Sequence, residues 1–202
     1  MTNKKIYFEN LDGLRFLCFL LVFIYHAFHN QSELFESSQV FHFLKKDIFG
    51  NGNLGVNFFF VLSGFLITYL LMEEKKMNST INIRNFYIRR ILRIWPLYFI
   101  CVAFGFFVYQ HLVTLVGQDF TRKANINYYH LFISNFDFIQ SGAPNASMLG
   151  VLWSVAIEEQ FYLVWPLILS LFPVKQWWIP FSVLIAVSLG FRILYDNPVM
   201  HE

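Results

Sequence analysis

The sequence predicts an all-α protein, a polytopic bundle of membrane-spanning helices. Three observations predict it. Of 202 residues, 56% are hydrophobic and 14% charged, where a soluble domain carries about a quarter charged residues. The mean hydropathy is +0.48, and phenylalanine alone supplies 26 residues. Five apolar stretches, about 13–29, 54–72, 94–116, 149–172 and 177–195, reach spanning length, since roughly 20 residues at about 1.5 Å rise cross the hydrocarbon. The net charge of +2 offers no basic surface for nucleic acid. Cys18 and Cys101 both fall in apolar stretches, so no disulfide framework is implied.

The first stretch, "LDGLRFLCFLLVFIYH", follows Lys4 and Lys5. Asp12 and Arg15 interrupt it, and no small-x-small site follows His26, which argues against a cleaved signal peptide. Arg15 and His26 are 11 residues apart, about three helical turns, so they share a face. They are separated by about 16 Å along the axis. Asp12, one turn before Arg15, is placed to pair with it. As plain membrane residues, Arg15 would be an orientation anchor and His26 a packing hydrogen bond.

The second stretch opens with "GNGNLGVNFFFVLSGFLIT". Its glycines, with Ser63 and Gly64, permit close helix approach. Asn57 requires a hydrogen-bonding partner inside the membrane. The loop Glu73–Arg93 after it holds Lys75, Lys76, Arg84, Arg89, Arg90 and Arg93, six of the chain's 15 Lys and Arg. The positive-inside rule puts that segment, and with it the N-terminus, in the cytoplasm. The segments 30–53 and 117–148 then lie outside, and Lys175 lies in an inner turn. Arg89, Arg90 and Arg93 crowd one turn at the inner boundary of the third stretch. Orientation or contact with anionic membrane lipid would use them, but three on one turn suit bidentate phosphate capture. With Arg15 at the same level they would form a cluster for a polyphosphate ligand.

Between the third and fourth stretches, Tyr128–Ile139 is apolar but too short to span, and it reads as interfacial or re-entrant. The fourth stretch contains "SVAIEEQFY", two adjacent glutamates in an apolar run. A carboxylate there costs at least about 2.5 kcal/mol unless it is neutral or partnered. Ser154, Glu158, Tyr162 and Pro166 recur every four residues and form one polar stripe. Glu159 lies about 100° away, in line with Val155 and Leu163. Glu158 therefore has polar company, while Glu159 has to find a partner elsewhere. Counted from opposite sides, Glu158 and His26 reach comparable depths, where a pair would raise the basicity of the imidazole. The remaining histidines (His29, His42, His111, His130, His201) show no metal-ligand spacing.

The order "LDGLRFLCFLLVFIYH", "GVNFFFVLSGFLIT", "FYIRRILRIWPLY", "LWSVAIEEQFYLVWPL", over residues 11–166, resembles the membrane acyltransferase-3 family, bacterial O-acyltransferases of surface polysaccharides. The resemblance implies a catalytic Arg and His in the first span, matching Arg15 and His26. It implies an arginine motif matching Arg89, Arg90 and Arg93. It also implies a Ser…Glu…Phe-Tyr motif matching Ser154, Glu158, Phe161 and Tyr162. Many members carry an acidic residue where this chain has Asn57. About ten spans are implied for members, so the chain, 1–202 as one integral-membrane domain, reads as a C-terminally truncated first half.

What the resemblance implies chemically is acyl transfer at the bacterial inner membrane. An acyl-CoA, most often acetyl-CoA, is the cytoplasmic co-substrate, and no cofactor is permanently bound. A hydroxyl of a lipid-linked or exported glycan, lipopolysaccharide among them, is the acceptor. His26 would take the hydroxyl proton, with Glu158 orienting or charge-stabilising it. A covalent acyl-His26 is the open alternative. Two rival readings stand beside this one: a transporter with a His26–Glu158 proton relay, and an inactive membrane fragment that only packs with a partner. The internal repeats and matched broken helices common in transporters are not evident.

Overall fold

The computed structural model of the chain describes residues 10–29, 52–117 and 124–195. The described residues are helical, with no strand among them. In order they form α1 (Leu11–His29), α2 (Gly52–Asn78), α3 (Ile83–Leu115), α4 (Ile126–His130), α5 (Ser134–Ser141), α6 (Ser147–Leu171) and α7 (Trp178–Tyr195), with a short 3-10 turn at Val174–Gln176. Four helical stretches are long and apolar enough to cross a membrane: Leu54–Asn78, Ile83–Leu115, Ser147–Leu171 and Val174–Ile193. α1 adds 19 residues, about 28 Å at the helical rise. The expected outer segment 30–53 lies outside the described residues except for the first turn of α2. Lys4 and Lys5, residues 118–123 and the terminal "NPVMHE" also lie outside them.

The segment Glu73–Arg93 differs from its reading as a loop. α2 runs on to Asn78 and α3 begins at Ile83, which leaves four residues, 79–82, as the connection. Hydropathy marks only the apolar part of a helix, whereas Lys, Arg and Glu are themselves good helix formers and carry it past the membrane boundary. The turn closes through Ser79 in the left-handed region at φ 61°. The Asn82 N–H donates to Glu74 Oε1 at 3.0 Å, and the Asn82 side chain caps α3 by accepting from the Asn85 N–H at 3.0 Å. Arg89, Arg90 and Arg93 are thus residues of a continuous helix.

The chain divides into two compact units, residues 1–70 and 71–202. In the first, α1 and the start of α2 approach closely at Gly55. A Cβ there would stand 2.9 Å from the Cys18 carbonyl oxygen and 3.0 Å from Val22 Cγ2, so only glycine fits. This is the small-residue packing that membrane helices use.

The second unit has its core where α3 meets α6 and the two short helices. Tyr98, Val102, Phe106, Tyr129, Phe132, Leu149 and Leu152 are buried together. A π-helical turn, Phe104–Val108, interrupts α3. There a Cβ on Gly105 would fall 2.5 Å from Leu149 Cγ, so the glycine lets the leucine seat against the backbone. The expected interfacial segment, Tyr128–Ile139, forms α4 and α5 and is pinned to α6 at two points. Gln160 Nε2 donates to the Phe132 carbonyl and to Asn135 Oδ1, both at 2.8 Å. Ser134 Oγ donates to the Leu152 carbonyl at 3.4 Å. Phe132 adopts φ 54°, unfavourable for a residue with a Cβ by about 1–2 kcal/mol. Its ring offsets this by stacking on Tyr98 at 4.4 Å and tilting against Trp95 at 5.2 Å. Beside it, burial first and then the Asp137 and Tyr98 groups push the pKa of the Tyr129 hydroxyl up.

The end of α6 is closed by a side chain from α2. Lys75 Nζ donates to the carbonyls of Leu169, Ser170 and Phe172 at 2.9, 2.8 and 2.6 Å. The last carbonyls of a helix have no intrahelical partner and carry its negative dipole end. One ammonium with three donors answers both needs.

Candidate active site

The residues singled out in the sequence fall in both units. In the first, Arg15 and Asp12 pair across one turn at 3.8 Å, with 23% and 67% of their side chains exposed. The expected i,i+3 pairing is present, though long. His26, three turns further along α1, is exposed, with its ring edge-on to Tyr25 at 5.2 Å between centroids. Asn57 is exposed on α2 and Ser63 is buried at 5%.

In the second unit the seam between α3 and α6 brings together Arg90, Trp95, Glu158, Glu159 and Tyr162. Tyr162 is buried and its hydroxyl donates to Glu158 Oε1 one turn earlier. The four-residue spacing that suggested a polar stripe therefore yields a contact. Ser154, the first residue of the stripe, instead donates back to the Val151 carbonyl at 2.9 Å, an i−3 bond that hydroxyls in helices commonly make. Phe161 stacks on Trp165 at 5.4 Å and makes the stripe's apolar flank.

Glu159 is the more buried of the two glutamates, at 3% exposure against a half-buried Glu158. The partner it needs is Trp95, whose indole Nε1 donates to Oε2 at 3.1 Å. Its other oxygen is buried without a hydrogen-bond partner among the described residues. The nearby charges acting on it are Glu158 and Arg90. Trp95 was not singled out in the sequence. The available signal was an indole N–H inside an apolar helix, a donor that needs an acceptor when buried.

The three arginines do not share one environment. Arg89 and Arg93 share a face of α3 at i,i+4 and are exposed, whereas Arg90 points into the seam. Its guanidinium carbon lies 5.0 Å from the Tyr162 ring centroid and 5.5 Å from that of Phe86. Tyr87, the residue after Phe86, donates to the Leu163 carbonyl at 2.6 Å and so ties the same two helices.

The family model for the acyltransferase domain of the acyltransferase-3 type matches residues 8–200. The peptidoglycan O-acetyltransferase OatA of Listeria monocytogenes is 30% identical over 197 residues, covering 95% of this chain and 28% of the relative. The O-acetyltransferase OatA of Staphylococcus aureus is 32% identical over 171 residues, covering 81% of this chain and 25% of the relative. The chain thus spans about a quarter of the length of the curated relatives it matches. No solved structure matches it. The helices of spanning length are those of a multi-pass membrane protein, and the four motifs lie within the matched residues. The chain belongs to the membrane acyltransferase-3 family.

Proposed function

We propose that the chain forms part of a membrane O-acetyltransferase of the bacterial envelope, moving an acetyl group from acetyl-CoA to a hydroxyl of peptidoglycan. The observation that carries this reading is the family match across residues 8–200, with relatives named for peptidoglycan O-acetylation. Those names favour peptidoglycan over lipopolysaccharide as the acceptor. The protein sits in the cytoplasmic membrane with its N-terminus and the turn 79–82 inside, a reading supported by the basic residues around that turn.

In this reading the thioester C–S bond breaks, an ester C–O bond forms, and the hydroxyl proton ends on the CoA sulfur. Arg89 and Arg93, exposed on one face of α3, hold the donor's phosphates through charge-assisted bonds. His26 takes the hydroxyl proton or first accepts the acetyl group, and Arg15 supports the charge on the same face of α1. Glu158, fixed by Tyr162, favours the protonated imidazole. Asn57 and Ser63 line α2 as supporting polar groups. The test is made in cells that do or do not produce the full-length protein. Acetyl esters released by mild alkali from purified cell wall fall when the protein is absent and return when it is restored. Unchanged ester content in its absence contradicts the assignment.

A further inference from the structure

We propose that Arg90 is a positioning residue that acts on Glu158 through Tyr162, and that it is not a ligand of the acetyl donor's phosphates. This rests on the acetyltransferase reading above and separates the arginine motif into two roles. The helix itself makes the division, because Arg89 and Arg93 stack at i,i+4 while Arg90 is turned about 100° away. The first two are exposed, and Arg90 is half-buried against α6.

What Arg90 meets there is aromatic. Its guanidinium lies over the rings of Tyr162 and Phe86, at 5.0 and 5.5 Å from their centroids. Both residues are buried, at 3% and 5% exposure. A planar cation over a ring is held by the ring's quadrupole, and the cation in turn draws electron density from the phenol. The Tyr162 hydroxyl becomes a stronger donor, and its ring is fixed in one orientation. That hydroxyl donates to Glu158. Arg90, Tyr162 and Glu158 thus form a chain of three, in which the cation at one end sets the geometry of the carboxylate at the other. An anionic donor reaching for Arg90 would have to displace it from two buried rings. Arg89 and Arg93 ask no such displacement.

The test uses the full-length protein in membranes, with acetyl-CoA as donor and a soluble peptidoglycan fragment as acceptor. Arg90→Gln lowers kcat roughly 10–100-fold, the scale of loss from a misplaced group, and leaves the KM for acetyl-CoA unchanged. Arg89→Gln instead raises that KM. Arg90→Lys recovers little, because an ammonium lacks the planar face that stacks. Tyr162→Phe keeps the ring and its packing, lacks only the hydroxyl, and reproduces the kcat loss even where Arg90→Gln folds poorly. Combining Arg90→Gln with Tyr162→Phe costs no more than the worse single change. A raised KM for acetyl-CoA in Arg90→Gln, recovery by Lys, or multiplied losses in the double variant would overturn the proposal. Should the wild-type protein draw no acetyl group from acetyl-CoA, the donor assignment fails separately. The same variants are then compared by cell-wall ester content, where non-multiplied losses support the chain of three and multiplied losses refute it.

Discussion

α1 and the α3–α6 seam both carry ionisable groups inside apolar helices, and they hold them in different ways. On α1, Asp12 and Arg15 form a long, partly exposed pair and His26 is exposed. In the seam, Glu159 and Tyr162 are buried, and Trp95, Arg90 and Tyr162 surround the two carboxylates. The buried Glu159 carboxylate ties α6 to α3 through the Trp95 indole, while its second oxygen has no hydrogen-bond partner among the described residues. Changes in the seam should therefore disturb folding and activity together. The two adjacent glutamates sharpen the contrast, since Glu158 accepts from Tyr162 on its own helix and Glu159 from Trp95 on α3.

The largest effect that can break this contrast is on the glutamates. Glu158→Gln is expected to remove most acetyl transfer, because Gln keeps the volume but not the negative charge of the carboxylate that accepts from Tyr162. Glu159→Gln is expected to keep much of it, since an amide oxygen still accepts from Trp95. Glu159→Leu leaves the indole N–H unpaired and should lower stability in detergent by about 1–3 kcal/mol. Transfer rates and thermal unfolding of the variants check this, and equal loss of transfer in the two Gln variants would erase the distinction. A smaller effect probes the fold beneath the seam. Gly105→Ala drives a methyl into Leu149 and should destabilise the second unit by about 1–3 kcal/mol, with the KM for acetyl-CoA unchanged. Thermal unfolding at wild-type temperature would show that the π-helical turn absorbs the methyl.

Much of this was legible in the sequence. Apolar runs gave the spanning helices to within a few residues, except for the end of α2 and the start of α3, where charged helix formers hid the boundary. The i,i+4 spacing of Glu158 and Tyr162 anticipated their hydrogen bond, because contacts within one helix follow from its period. Contacts between helices do not. The Trp95–Glu159 bond joins residues 64 apart and the Lys75 cap bridges as many as 97. The inward turn of Arg90 depends on where α6 lies, and periodicity along α3 alone carries no record of that. The close approach at Gly55 was legible only as a surplus of small residues, and Gly105 was not singled out in the sequence.

The full-length protein is proposed to transfer acetyl groups from acetyl-CoA through the His26 imidazole on α1. The most direct measurement supplies acetyl-labelled acetyl-CoA to inverted membrane vesicles containing the full-length protein, either wild type or His26→Gln. Wild-type vesicles should place label in base-labile ester on the glycan. The His26→Gln variant, at equal protein level and with the same thermal unfolding, should lose at least the roughly 10²–10⁴-fold that a placed proton-transfer group contributes. Label transfer that survives in His26→Gln, or wild-type vesicles that draw none from acetyl-CoA, would contradict the account.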